Sequence, residues 1–156
     1  MATENDIPQI LEIAKEAITP SWTHGMILEA IDKDDTYFII LNTEKNATNT
    51  STFNSTQTVG FAVIRQVDTD GEILQIAVDK NVRNSGFGSK LLQNILTYAQ
   101  KSGFKSVFLE VRKSNLPAIK LYKKHGFTIQ RTRKNYYSEP VEDAYVMCRH
   151  VQDNDK

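Results

Sequence analysis

The run from Glu72 to Val111 constrains the fold of this chain more than any other. "EILQIAV" reads as a strand, "RNSGFGSKLL" sets Gly86 and Gly88 where a polar turn gives way to apolar residues at helical spacing, and "SVFLEV" reads as a second strand. Between them Leu91, Leu92, Ile95, Leu96 and Ala99 line one face of a helix that stops near Gly103. A strand, a glycine turn, a helix and a strand in that order predict a sheet that opens into parallel strands.

The two glycines each cost a helix about 1 kcal/mol, so their place at its mouth calls for a reason. The first N–H groups of a helix have no partner within it, and the helix dipole adds partial positive charge there. Gly86 and Gly88 would take two Cβ atoms out of the approach, and Arg83 would add a cation, so an anion such as a phosphate could rest on bare amides. A tight turn that needs positive φ and holds no ligand explains the same letters. The spacing alone leaves both readings open. No G-x-x-x-x-G-K-[ST] is present, and Leu91 stands where a dinucleotide fingerprint needs its third small residue, so neither a P-loop nor an NAD or FAD site is expected.

Around this unit the chain alternates readily. Asp6 is a candidate N-cap for a helix carrying Pro8, Ile10, Leu11 and Ala14, and a second short helix carries Met26, Ile27, Ala30 and Ile31. "TYFIIL" reads as a buried strand, and "VGFAVIRQV", "DTDG" and "EILQIAV" as a hairpin with Leu74, Ile76 and Val78 on one face. Residues 42–58 are polar and expected to form a flexible loop. After "SVFLEV", Ser114 or Asn115 caps a helix that ends at Gly126, and "AYVMCR" is the last strand before a polar tail at 151–156. The expected fold is α/β, one domain over 1–150, with a mixed, mostly antiparallel sheet flanked by helices.

The 19 basic and 19 acidic residues balance, so no basic excess points to nucleic acid. No apolar run approaches the roughly 20 residues that span a bilayer, and no secretory leader is legible, so no membrane role is expected. Cys148 is the only cysteine, and no Cys/His cluster has metal spacing. Three glycosylation triplets, at Asn46, Asn49 and Asn54, follow from the Ser/Thr/Asn-rich composition of their loop; the expected location is cytoplasmic. His24, His125 and His150 are scattered and receive no role.

"AVDKNVRNSGFGSKLL" resembles the acetyl-CoA motif of the GCN5-related N-acetyltransferases, Gln/Arg-x-x-Gly-x-Gly/Ala, met by Arg83, Gly86 and Gly88. "LEVRKSNLPAIKLYKKHGF" and "RKNYYSEPVEDAYVM" resemble the RimI type, bacterial alanine N-acetyltransferases that modify ribosomal-protein N-termini. The resemblance runs from about Ile7 to Met147. It departs in two places: the family opens with an edge strand that is shortened or lacking here, and the 42–58 loop is longer and more polar.

The resemblance implies acetyl transfer from acetyl-CoA, without a metal, to an amine, foremost the α-amine of a protein or peptide N-terminus, with a ribosomal protein among the candidates. A lysine or small-molecule amine is the alternative acceptor; an acyl-CoA-binding module without turnover is the alternative of another class. A monomer or weak dimer is expected. By resemblance, backbone groups of Ile76, Ala77 and Val78 bind the pantetheine arm. The amides of Arg83, Asn84, Ser85, Gly86, Phe87, Gly88 and Ser89 hold the pyrophosphate. Glu110 is the general base acting through water, although the strand alone favours an exposed carboxylate paired with a lysine and the motif reverses that. Tyr122 protonates the leaving thiolate and touches the cofactor, or is a core aromatic. Asn115 contacts the cofactor, caps a helix, or does both. Tyr136 and Tyr137, expected on a turn, form a wall of the peptide groove or pack at a hairpin. Trp22 lines the opposite wall or the core, and Glu142 and Asp143 receive a cationic N-terminus or make a charged turn.

Overall fold

A computed structural model describes residues 1–17, 20–44 and 56–151. Two helices, α1 (Ile7–Ala17) and α2 (His24–Asp32), precede three strands, β1 (Thr36–Glu44), β2 (Thr56–Val67) and β3 (Asp70–Val78). Then come α3 (Phe87–Lys101), β4 (Ser106–Arg112), α4 (Leu116–Lys124), β5 (Thr128–Ser138) and β6 (Val141–His150). The strands form one sheet in the order β1-β2-β3-β4-β6-β5, in which only β3 and β4 run parallel.

Alternation along the strands divides the core in two. Phe38, Phe61 and Val63 face α1 and α2, against Ile7, Ile10 and Ile27. Ile39, Ala62 and Ile64 face the other way, onto Leu91, Leu92 and Ile95 of α3 and Ile119 and Tyr122 of α4. The cap of α1 lies further upstream than expected. A 3-10 turn, Glu4–Asp6, leads into the helix, and the Asp6 carboxylate accepts from both the amide and the hydroxyl of Thr3, each at 2.8 Å.

Three expectations need correction. The chain has a sixth strand, β5, which pairs only with β6 and has nearly every residue exposed, so it lacks the apolar alternation that marks a half-buried strand. Tyr136 and Tyr137 therefore lie within β5, not on a turn. The polar 42–58 segment is strand at both ends: Asn42 pairs with Thr58 and Glu44 with Thr56, and Thr58 Oγ1 donates to Asn42 Oδ1 at 3.0 Å. The rest of it, with Asn46, Asn49 and Asn54, falls outside the described residues, as does 152–156 of the tail. Among the described residues no strand precedes α1; the Ala2 amide makes one 2.9 Å bond to the Phe38 carbonyl on the edge of β1.

The third correction shapes the site. Ile73 pairs with Ile64 but Gln75 with Val63, so β3 carries one extra residue at Leu74. This bulge turns Leu74 onto the α1/α2 side, while Ile73, Ile76 and Val78 face α3 and α4. Leu74 thus does not share a face with Ile76 and Val78. Parallel pairing of β3 with β4 covers only Gly71–Ile73 against 107–109, and beyond the bulge the two strands part.

Candidate active site

The parting of β3 and β4 leaves a cleft of about 480 Å³ that opens to both faces of the sheet. Ile76, Val111, Asn115 and Tyr122 line it from the α3/α4 side, and Glu72, Leu74, Trp22 and Met26 from the α1/α2 side. Along β4, Leu109 and Val111 are buried toward α3 and α4, so Glu110 and Arg112 project to the opposite face. Glu110 and Tyr122 therefore meet the cleft from opposite sides of the sheet.

The backbone along the splay is sorted by the same alternation. The Asp79 amide donates to the Val59 carbonyl at 2.9 Å, which fixes the phase: Ala77 turns its peptide groups toward β2, and Ile76 and Val78 turn theirs toward the cleft. The Val78 carbonyl accepts from Arg83 Nε at 3.2 Å, tying the end of β3 to the glycine turn. In that turn Asn84 has φ 63° and Gly86, the N-cap of α3, has φ 84°. A Cβ on Gly86 would meet nothing within 4 Å, whereas one on Gly88 would lie 3.3 Å from Leu121 Cδ2. Gly86 thus opens the approach to the helix amides, and Gly88 lets α3 close on α4. Ser85 is exposed, Phe87 and Ser89 are half-buried, and the Ser89 hydroxyl is bonded to His125 Nε2 at 2.5 Å, so it is the Ser89 amide that points to the helix mouth. An anionic group at this mouth and an extended chain along the splay fit the arrangement.

Asn115 caps α4, its Oδ1 accepting from the Ala118 amide at 3.2 Å, and it also lines the cleft. Tyr122 is 8% exposed and packs on Phe127 with ring centroids 5.9 Å apart. Burial, and then the neighbouring Tyr137, push its phenol up to about 12, so it carries its proton throughout the physiological range.

The far wall comes from the β5–β6 hairpin, and an irregularity sets it. Arg133 pairs with Ala144 but Tyr137 with Glu142, so β5 has extra residues between them, and Asn135 has φ 49°. Asp143 fastens this bulge: it accepts from the Asn135 amide at 3.0 Å, Lys134 at 3.1 Å and Lys113 at 3.2 Å, which hold its carboxyl down to about 2. Glu142 accepts from the Ser114 amide at 2.6 Å and from Arg112 at 3.2 Å, and these hold it below the usual carboxylate range. Both carboxylates therefore join the hairpin to the start of α4.

Fastened so, the bulge brings Tyr136 to Glu110. A hydrogen bond to that carboxylate, followed by burial, pushes the Tyr136 phenol up to about 12. Glu110 also forms an ion pair with Arg133, whose guanidinium lies 4.4 Å from the centroid of the Tyr136 ring. Tyr137 lies under Arg112 at 4.0 Å, and its ring meets that of Tyr136 edge-on at 5.0 Å. Trp22 is half-buried on the opposite wall, just ahead of Thr23, which caps α2.

Sequence reasoning missed Arg112, Arg133, Glu72 and Met26 as neighbours of this cleft. Arg112 was within reach, two positions after Glu110 and so on the same strand face. Arg133 was not, because its place depends on how β5 pairs.

Residues 7–127 match the family described as Acetyltransferase (GNAT) family. An N-alpha-acetyltransferase of Sulfolobus acidocaldarius is 33% identical over 153 residues, covering 95% of this chain and 89% of that protein. A ribosomal protein bS18-alanine N-acetyltransferase of Haemophilus ducreyi is 28% identical over 151 residues, covering 95% of this chain and 96% of that protein. The crystal structure of Ard1 from Thermoplasma volcanium has a TM-score of 0.81 at 31% identity, covering 97% of this chain and 95% of that one. With its glycine turn at the mouth of α3 and its splayed strands, the chain belongs to the GNAT family of acetyl-CoA-dependent N-acetyltransferases.

Proposed function

We propose that this chain transfers the acetyl group of acetyl-CoA to the α-amine of a protein N-terminus, with coenzyme A on the α3/α4 side of the sheet and the acceptor on the other. The observation that carries the reading is the cleft through the sheet, with the Glu110 carboxylate on one face and the Tyr122 phenol on the other. The Gly86 turn and the amides opening α3 would hold the pyrophosphate. Ile76 and Val78 would bind the pantetheine arm through their peptide groups, with Ala77 supporting them through β2, and Asn115 and Tyr122 would flank the thioester.

Bound there, the cofactor supplies an activated acetyl carbonyl. Glu110 takes the proton from the amine through a water, so that the nitrogen lone pair can bond to that carbonyl carbon. An amide on the splayed edge of β3 stabilises the oxygen as charge develops on it. Tyr122 gives its proton to the sulfur as the C–S bond breaks. Full transfer from a phenol near 12 to a thiolate whose conjugate acid lies near 8.5 is uphill by roughly 3 to 4 pKa units, so the proton moves in concert with bond cleavage; the acylated nitrogen gives up its second proton to solvent, and the proton held by Glu110 returns through solvent to the Tyr122 oxygen.

An N-terminus suits a carboxylate as base. An α-amine has a pKa near 8 and a lysine near 10.4, so at neutral pH the first is roughly two-hundredfold richer in its neutral form. Trp22 and Met26 on one wall and Tyr136 and Tyr137 on the other would accept an extended peptide. The named activities of the Sulfolobus and Haemophilus relatives support this acceptor, and a ribosomal protein is one candidate within the class.

The test is to incubate the protein with acetyl-CoA and peptides beginning with Ala, Ser or Met, beside a blocked peptide bearing lysine, and to locate the acetyl group by mass spectrometry. Acetylation of the α-amine is the expected result. Acetylation confined to lysine would reject this acceptor, and coenzyme A release that never rises with any peptide would favour a binding module.

A further inference from the structure

The cation beside Glu110 is the protein's own. The Arg133 guanidinium pairs with that carboxylate, and its side chain remains 46% exposed at the mouth of the cleft. The guanidinium carbon lies over the ring of Tyr136, itself 43% exposed, 4.4 Å from the ring centroid. Glu72 lines the same cleft on the same side of the sheet but is taken up by Arg65 at 2.6 Å, so Glu110 is the carboxylate that Arg133 holds. Arg133 lies on an edge strand bonded along one side only, so the side chain can shift without unpairing the sheet.

An acceptor α-ammonium approaching Glu110 meets this guanidinium, and two cations crowded against one carboxylate repel each other. The conflict ends when the acceptor brings an anion of its own. We propose that Arg133 selects acceptors with an acidic side chain at the second residue, which takes over the guanidinium and releases Glu110 to the amine. The adjacent residue is the one in reach, because its Cα lies only 3.8 Å along the chain from the first. Arg133 is then a specificity-determining residue that acts on the reaction through Glu110. The inference rests on the α-amine reading and on Glu110 as base.

The experiment uses three peptides of one length beginning Ala-Asp, Ala-Ser and Ala-Lys and otherwise identical, with saturating acetyl-CoA and low salt. With the native protein the KM for Ala-Asp should lie about tenfold below that for Ala-Lys, the scale of a charge-assisted hydrogen bond, with a smaller spread in kcat. Arg133→Gln should bring the three KM values together and lower that for Ala-Ser, since Glu110 no longer has a competing cation. Arg131→Gln removes an equal charge two positions away on the same side of β5 and should preserve the preference. A preference that survives Arg133→Gln, or is lost equally in Arg131→Gln, overturns the proposal. The native protein supplies a test that needs no variant: one KM for all three peptides sinks this inference alone, whereas no α-amine acetylation of any of them sinks the proposed function beneath it.

Discussion

Replacing Gly86 with alanine should cost stability and coenzyme A binding together, whereas the same change at Gly88 should leave both nearly intact. At Gly86 the backbone has φ 84° and a new Cβ would meet no atom within 4 Å. The penalty is then backbone strain, about 1–2 kcal/mol for an L-residue in the left-handed region. At about 2–4 °C per kcal/mol for a chain of 156 residues, the melting temperature should fall by about 2–8 °C. Gly88 lies inside the first turn of α3, and its Cβ would press on Leu121 Cδ2 at 3.3 Å and Val78 Cγ2 at 3.9 Å. Leu121 is only half-buried and can yield by a few tenths of an ångström, while alanine in place of glycine favours the helix by about 1 kcal/mol. These effects oppose each other, so the net change should stay within about 1 kcal/mol. The Gly86 methyl would stand in the open approach to the α3 amides, the Gly88 methyl inside the packing between helices. Thermal melts of both variants with and without a fixed excess of coenzyme A separate the two cases: Gly86→Ala should lose most of the ligand-induced rise in melting temperature, and Gly88→Ala should keep it. The reasoning fails if Gly86→Ala melts and is protected like the native protein, or if Gly88→Ala is the more damaged of the two.

Glu110→Gln should lower kcat by about 10²–10⁴-fold while coenzyme A protects the variant against heating as before; equal loss of turnover and protection would make the side chain structural. Tyr122→Phe keeps the ring packed on Phe127 and should melt close to the native protein while kcat falls by at least about 10²-fold, and an unchanged kcat would remove Tyr122 from the chemistry. Because the Tyr122 phenol is raised to about 12, the rate of the native enzyme should show no alkaline decline from this group below that value; a decline centred near 10 in the native protein, absent from Tyr122→Phe, would contradict its burial. Asp143 is lowered from 3.8 to about 2, so its stabilisation is complete above its unfolded value and is lost as pH falls through the folded one. Native protein should therefore melt above Asp143→Asn at neutral pH and the gap should close as pH drops from about 3.8 to about 2, whereas a gap that widens on acidification would show the sign to be wrong.

What could be read in the sequence, and what could not, divides along one physical line. Helix faces, the Asn115 cap and the strand carrying Glu110 follow from local periodicity, and local periodicity survives folding unchanged. The bulge at Leu74 does not, because inserting one residue into a ladder swaps every later side chain to the other face and leaves no mark in the letters. β5 was hidden for a related reason: an edge strand exposed on both faces has no apolar partner to alternate with. The proposed acceptor side of the site depends on both hidden features. Arg133 and Tyr136 are three positions apart, which regular pleating would send to opposite faces, yet both reach Glu110. They do so because Asn135 takes a left-handed turn that a non-glycine residue adopts at some cost, and the Asp143 carboxylate, accepting from the Asn135 amide and from Lys113 and Lys134, holds it there. The "NYY" and "ED" of this chain are thus one device, in which the acidic pair bends the strand that delivers the arginine and tyrosine to the carboxylate we assign as the base.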